Sequence, residues 1–303
     1  MSNAVLVIAG QELRAARTNH LAMMLIGIFT GMVFVSGFIG WEAHHTVTSV
    51  YQETLREGAT SAPDPFAAQQ PLGLIKNTVI YVILIGGLAA ILLGVQAAAG
   101  DRKAGVLDLL YTRPVSIGQY TAGKLLGIQC LTGLVLAAAA AMSWIVIWLI
   151  QGRALSFPDT GSLAAFFALA WLFLLPFAAL GFILGAMSRR ETSALLVPIL
   201  VWVLAAFVVP QLGTADHPVS LLNPVPAQPA SQGPFFSFNR RVLQPLSITD
   251  RFKNASAGLL HLDEQAGQSR TGDWLSLAGI AAASCFAARL AARREIMRKP
   301  FYE

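Results

Sequence analysis

LLGIQCLTGLVLAAAAAMSWIVIWLI, Leu125 to Ile150, decides the class of fold. It holds no Asp, Glu, Lys or Arg. An α-helix needs about 20 such residues, at about 1.5 Å each, to cross a hydrocarbon core of about 30 Å. A soluble helix of this length would carry a polar stripe, and a barrel strand would alternate. This run does neither, so it reads as a membrane-spanning helix.

Five more apolar runs repeat the pattern: Leu21 to Gly40, Lys76 to Ala99, Leu163 to Met187, Ala194 to Leu212, and Trp274 to Ala292. The expected fold is all-α, one polytopic membrane domain over residues 1–303 with six transmembrane helices. Pro176 and Pro198 fall inside spans four and five, where each removes a backbone donor and predicts a local kink. Composition agrees. Hydrophobic residues make up 55% and charged residues 12%, where a soluble domain carries about 25% charged. Little chain is left for a soluble domain.

Cys130 and Cys285 both lie in apolar runs and read as small buried thiols rather than a disulfide. Glu12, Arg14 and Arg17 precede a full-length span, and no small-residue cleavage site follows Gly40, so no cleavable leader is expected.

Six spans put both termini on one side. That side carries Arg14, Arg17, Arg102, Lys103, Arg113, Lys124, Arg189, Arg190, Arg293, Arg294, Arg298 and Lys299. The two short segments opposite offer Arg56, Lys76 and Arg153 among Glu42, Glu53, Glu57 and Asp64. Short-loop basic excess marks the cytoplasm, so both termini are expected there. The same bias explains the net charge of +5 without nucleic acid.

Two segments then face outward. Trp41 to Ile75 is polar; Gly213 to Gly272 carries six prolines, clustered Phe235, Phe236 and Phe238, and a short helix expected from Ile248 to Leu260. A loop this long is commonly functional or disordered, and its aromatics predict a folded cap on the outer membrane surface. Before span one, Val5, Leu6, Ile8, Ala9 and Leu13 share one side of a helix, with Glu12, Arg14 and Arg17 facing elsewhere. That pattern suits an interfacial helix, or else a plain extension of span one.

The first loop on the basic side, GDRKAGVLDLLYTRPVSIGQYTAGKLLG from Gly100 to Gly127, is far longer than the roughly 2 to 8 residues a helix connection needs. Val106, Leu107, Leu109, Leu110 and Tyr111 form a short apolar helix, with Asp101 placed as its N-cap and Pro114 as its stop. Such a helix rests on neighbouring spans and lipid, or on a partner protein.

This loop resembles the coupling segment of ABC-2 type transporter permeases. The matching residues are Asp101, Gly105, Leu107, Leu109, Leu110, Pro114, Val115, Ser116, Gly123 and Lys124, the last two opening span three. LGAMSRRETSA, Leu184 to Ala194, resembles the tight turn between spans four and five of that family, with Arg189, Arg190 and Glu191 at its centre. Val106 departs from the family's usual threonine and Asp101 from its commoner glutamate. The resemblance implies a permease in the bacterial cytoplasmic membrane, more often an exporter. It also implies a coupling helix docked on a separate cytoplasmic ATPase subunit, and a second permease copy, with a homodimer expected. ATP and Mg would sit on the ATPase, and no cofactor on this chain. SLLNP, Ser220 to Pro224, resembles permeases of nitrous-oxide reductase maturation, which work with a periplasmic partner.

Gly118 to Leu125, GQYTAGKL, is a near match to the phosphate-binding G-x-x-x-x-G-K-[ST] loop. Leu125 lacks the required hydroxyl, and Gln119 to Thr121 reads as a helix start, so ATP binding by this chain is not expected. Within the spans almost no ionisable residue appears, which argues against an intramembrane enzyme and an ion-coupled transporter. A non-transporting scaffold or sensor is the remaining rival. Gln96, Gln129 and Ser143 are expected to hydrogen-bond between helices. His44 and His45 beside Glu42 read as solvated rather than metal-binding. Gly27-x-x-x-Gly31, Gly123-x-x-x-Gly127 and Gly181-x-x-x-Gly185 permit close packing, within the chain or between copies. The C-terminal arginines are expected to meet anionic lipid headgroups.

Overall fold

In the computed structural model, residues 2–58, 70–103, 115–188, 191–214, 233–242, 247–262 and 270–298 are described. Most of the expected coupling segment, including Gly105, Leu107, Leu109, Leu110 and Pro114, lies outside them. So do Arg189, Arg190, Lys299 and Ser220 to Pro224, and the side chains of Glu191 and Arg298.

The first helix, α1 (Ser2–Thr18), is followed at once by α2 (His20–Arg56). The second span is one rod from Pro71: a 3-10 turn, α3 (Asn77–Tyr81), a π turn at Val82–Gly86, and α4 (Gly87–Lys103). Then come α5 (Ile117–Gln151) and α6 (Phe157–Met187). The fifth span joins α7 (Glu191–Val203), a π turn at Leu204–Val208, and α8 (Val209–Thr214). Two short helices, α9 (Pro234–Val242) and α10 (Ile248–Leu259), precede α11 (Arg270–Arg298). Among the described residues six helical segments are long and apolar enough to cross a membrane, and no strand occurs. The chain is a polytopic all-α membrane protein.

Polarity and helicity end at different places. Expected to stop at Gly40, α2 runs on to Arg56, because neither Gly nor Pro intervenes before Gly58, whose φ is +68°. The apolar run ended there; the helix did not. Likewise α5 starts eight residues before Leu125, where Ser116 and Gln119 form a reciprocal capping box. Gly118 to Leu125 is therefore ordinary helix, with no loop to cradle a phosphate. Pro176 and Pro198 do sit inside α6 and α7, as expected.

The rod ending in α4 and helix α6 form the centre, each 61% buried over its most apolar window, against 22–28% for the other spans. Small residues let them touch. Gly94 lies on the backbone of Ala178 and Phe182, and Gly181 on that of Ile91, leaving no room for a Cβ. Gly185 sits beside Val95 in the same way. So the Gly181-x-x-x-Gly185 pair serves packing within the chain. Among the described residues, nothing stands within 4 Å of where a Cβ on Gly27 or Gly31 would be.

Several polar expectations need correction. Gln96 does bond across helices, accepting from Asn19 Nδ2 at 2.6 Å. The Gln129 side chain instead accepts from Thr132 in its own helix (2.8 Å), while its backbone carbonyl takes a cross-helix bond from Trp171 Nε1 (2.8 Å); among the described residues, Gln129 Nε2 and the Ser143 hydroxyl have no partner. Thr132, one turn on, is the near donor that takes up the Gln129 side-chain oxygen. Cys130 is not buried but points outward from α5, while Cys285 is half-buried; both are free thiols. His45 lies against Trp41, ring centroids 5.9 Å apart.

The expected Ile248–Leu260 helix is present as α10, but it does not lie on the surface. Thr249, Phe252 and Ser256 are fully buried, with Phe252 stacked 4.3 Å from Phe173 and 6.3 Å from Phe166 of α6. Arg251 donates to Ser276 (2.9 Å) and reaches Asp273 of α11 at 3.5 Å. One apolar face on a short helix was enough to draw it between α6 and α11.

Candidate functional site

At the opposite end of the bundle, α1 lies across the first turns of α5. Its buried face is Ala9, Glu12 and Ala16, at helical spacing, while Leu6 and Val7 stay exposed. Glu12 was expected to face away with Arg14; instead it is buried, while Arg14 is exposed. The reason is on α5. Gly123 and Gly127 form a shallow trough, and a Cβ on either would stand 2.7 Å from Ile8 Cβ or 2.6 Å from Glu12 Cβ. The second Gly-x-x-x-Gly pair thus seats α1 rather than another copy. Contact that close brings the Glu12 carboxylate over the next residue along, Lys124.

Lys124 Nζ lies 2.6 Å from Glu12 Oε2 and 2.8 Å from Asp101 Oδ1. Tyr120, one turn earlier on α5, donates its hydroxyl to Asp101 Oδ2 at 2.7 Å and packs its ring against Phe182, 6.3 Å away. The side chains of the three charged residues are only 9 to 16% exposed. Asp101 is not the N-cap expected from the sequence. It sits in the last turn of α4, where the helix dipole disfavours a carboxylate, and the lysine and phenol offset that.

Two carboxylates share one ammonium here. Burial pushes the Glu12 carboxyl above its usual range; Lys124 pulls the other way, and Asp101 adds a smaller upward push. A buried pair of this kind is weak evidence for net stability, but removing one partner strands a charge. What the cluster does is join segments 112 and 23 residues apart in sequence. It ties α1 to both stems of the 104–114 segment.

Of the residues singled out from sequence, Asp101, Gly123 and Lys124 come together. Val115 and Ser116 lie just before α5, Ser116 as its N-cap; Glu191 opens α7, and the remaining candidates fall outside the described residues. Glu12 and Tyr120 were missed. The signal for Glu12 was available in the small-residue face Ala9–Glu12–Ala16, which fits a helix lying on a glycine trough. Lys124, expected just before span three, lies two turns inside α5 because that helix starts at Ile117.

A family model described as ABC-2 family transporter protein matches residues 6–291. No curated protein matches the chain.

Proposed function

The chain belongs to the ABC-2 family of transporter proteins, and on that premise we propose the following reading: it is the membrane-spanning permease subunit of an ATP-driven exporter whose ATPase is a separate polypeptide. The 104–114 segment is the coupling helix, docking through Leu107, Leu109 and Leu110, with Gly105 and Pro114 setting its ends. Arg189, Arg190 and Glu191 form a second contact at the turn before α7. ATP and Mg sit on the partner, and this chain holds no cofactor. Both termini are cytoplasmic, in a bacterial inner membrane, as the basic excess around Arg102, Arg113, Arg189 and Arg293 supports. A second copy completes the path; the open face of α2 around Gly27 and Gly31 has room for it.

The buried Glu12–Lys124–Asp101 cluster carries this reading. A loop that only connects two spans needs no charged clasp at its base. A loop that receives a push needs its stems held together, or the push is lost in local bending. With Asp101 bound to Tyr120 and Lys124, and Lys124 to Glu12, displacement of the segment moves α1, α4 and α5 as one body. Rigid-body movement of that kind can open a path at the interface between permeases.

Co-purification tests it. The tagged chain, expressed with neighbouring genes, is expected to recover a stoichiometric ATPase. Leu109→Asp with Leu110→Asp is expected to lose the ATPase while remaining folded. No ATPase with the unmutated chain under any condition would leave a non-transporting scaffold as the better reading.

A further inference from the structure

Between α5, α6 and α11 lies a groove of about 510 Å³, within the size range of ligand sites. Thr121, Leu125, Leu126, Trp171 and Phe286 line it, and the last three are exposed at its mouth, so it opens sideways from the bundle. Along α5 it runs from Gly118 to Gln129, about 16 Å at about 1.5 Å per residue. That is close to one leaflet of a hydrocarbon core about 30 Å thick.

One end is charged. Arg289 of α11 lies over the first turn of α5, where a Cβ on Gly118 would stand 3.2 Å from its Cζ and Nε. The Ser116 capping box occupies the Gln119 amide, while the Ile117 and Gly118 amides have no partner within the helix. A guanidinium thus lies beside the positive end of a helix dipole, and among the described residues no carboxylate lines the groove. Arg293 and Arg294, also exposed, follow one turn on. Two positive elements side by side favour an anion between them. An anion joined to a leaflet-deep apolar trough is an amphiphile. Gln129, at the far end, lies beyond a headgroup's reach and takes no part.

We propose that this groove holds an acyl chain of an anionic phospholipid, whose phosphate is bound by Arg289 and the first turn of α5. The lipid then fastens α11 to α5, two helices otherwise joined mainly through α6. Assigning it to the cytoplasmic leaflet rests on the proposed orientation; its existence does not. Failure of the ATPase co-purification would therefore leave this site standing.

Cys285 lines the groove and reports on it. With Cys130→Ser in place, the whole chain is reconstituted in discs of phosphatidylcholine, with or without phosphatidylglycerol in both leaflets. Maleimide labelling of Cys285 is expected to slow about fivefold when phosphatidylglycerol is present, the effect of one basic residue on an acidic lipid. Arg289→Gln is expected to erase the difference and Arg289→Lys to keep part of it. Mass spectrometry of lipid retained by the purified unmutated chain, enriched in phosphatidylglycerol, is the second readout and needs no variant. Equal labelling in both lipids, or protection surviving Arg289→Gln, overturns the proposal. Equal protection by glycerol 3-phosphate reduces the site to a free anion and removes the acyl chain. A Cys285 unreactive in every lipid means that a second copy covers the groove, which also overturns it.

Discussion

Two short helices dock at opposite ends of this bundle by different physics. Helix α10 is held by aromatic stacking, with Phe252 fully buried against Phe173 and Phe166 and an Arg251–Asp273 contact at the edge. Helix α1 is held by charge in a glycine trough, with Glu12 and Asp101 sharing Lys124. Packed rings interlock and resist any shift, since each small gap forfeits dispersion contacts. Charged pairs fix register through a few short bonds, and they fail as a unit when one member goes. On the proposed reading, the difference suits one end that stays closed and one that moves without coming apart.

The comparison breaks first at its strongest points. Phe252→Ala should destabilise the chain by about 3–5 kcal/mol, the range for a buried aromatic truncated in a packed core. Hydrogen exchange should rise in α10 and leave α1 unchanged. Lys124→Met should cost about 3 kcal/mol by stranding two buried carboxylates, with protection lost from α1 and kept in α10. Adding Glu12→Gln and Asp101→Asn to it should restore most of that stability, because neutral groups need no counterion. If either single change loosens both ends equally, the two docks are not distinct.

Smaller changes sharpen it. Gly127→Leu, forced against Glu12 Cβ, should lift α1 at about 1–3 kcal/mol, seen as protease access near Leu13. Tyr120→Phe removes one hydrogen bond to Asp101 and should cost about 0.5–1.5 kcal/mol. The smallest effect is a slope with pH. Glu12 has a folded pKa above the unfolded value of 4.5, so the folded chain binds the extra proton between the two. Stability should therefore fall as pH rises from 4.5 through the folded value and then level off. Glu12→Gln should flatten that part of the melting curve; an unchanged slope would assign it elsewhere.

The spans were legible because a hydrocarbon core demands long apolar runs, and nothing else in the sequence of Leu125 to Ile150 competes with that reading. Their ends were not, because they depend on single caps: Ser116 with Gln119, and the uninterrupted stretch before Gly58. Within the site, Gly123 and Lys124 were visible as a pattern, while their partner Glu12, 112 residues from Lys124, was not. A lone carboxylate on an amphipathic helix points to water by default. Only the trough made by Gly123 and Gly127 turns it inward, and that depends on tertiary contact. Arg289 escaped notice for a similar reason, since its neighbour Gly118 lies on another helix.

The central claim is that α1, the end of α4 and the start of α5 move as one body when the partner ATPase closes. Spin labels at Leu6 and Leu134, both exposed, report it directly in a complex with one labelled copy and both native cysteines replaced by serine. The distance between them should be the same without nucleotide and after trapping with ATP and vanadate, and should broaden or shift in Lys124→Met. A Leu6–Leu134 distance that changes on trapping in the otherwise unmutated chain would contradict the account.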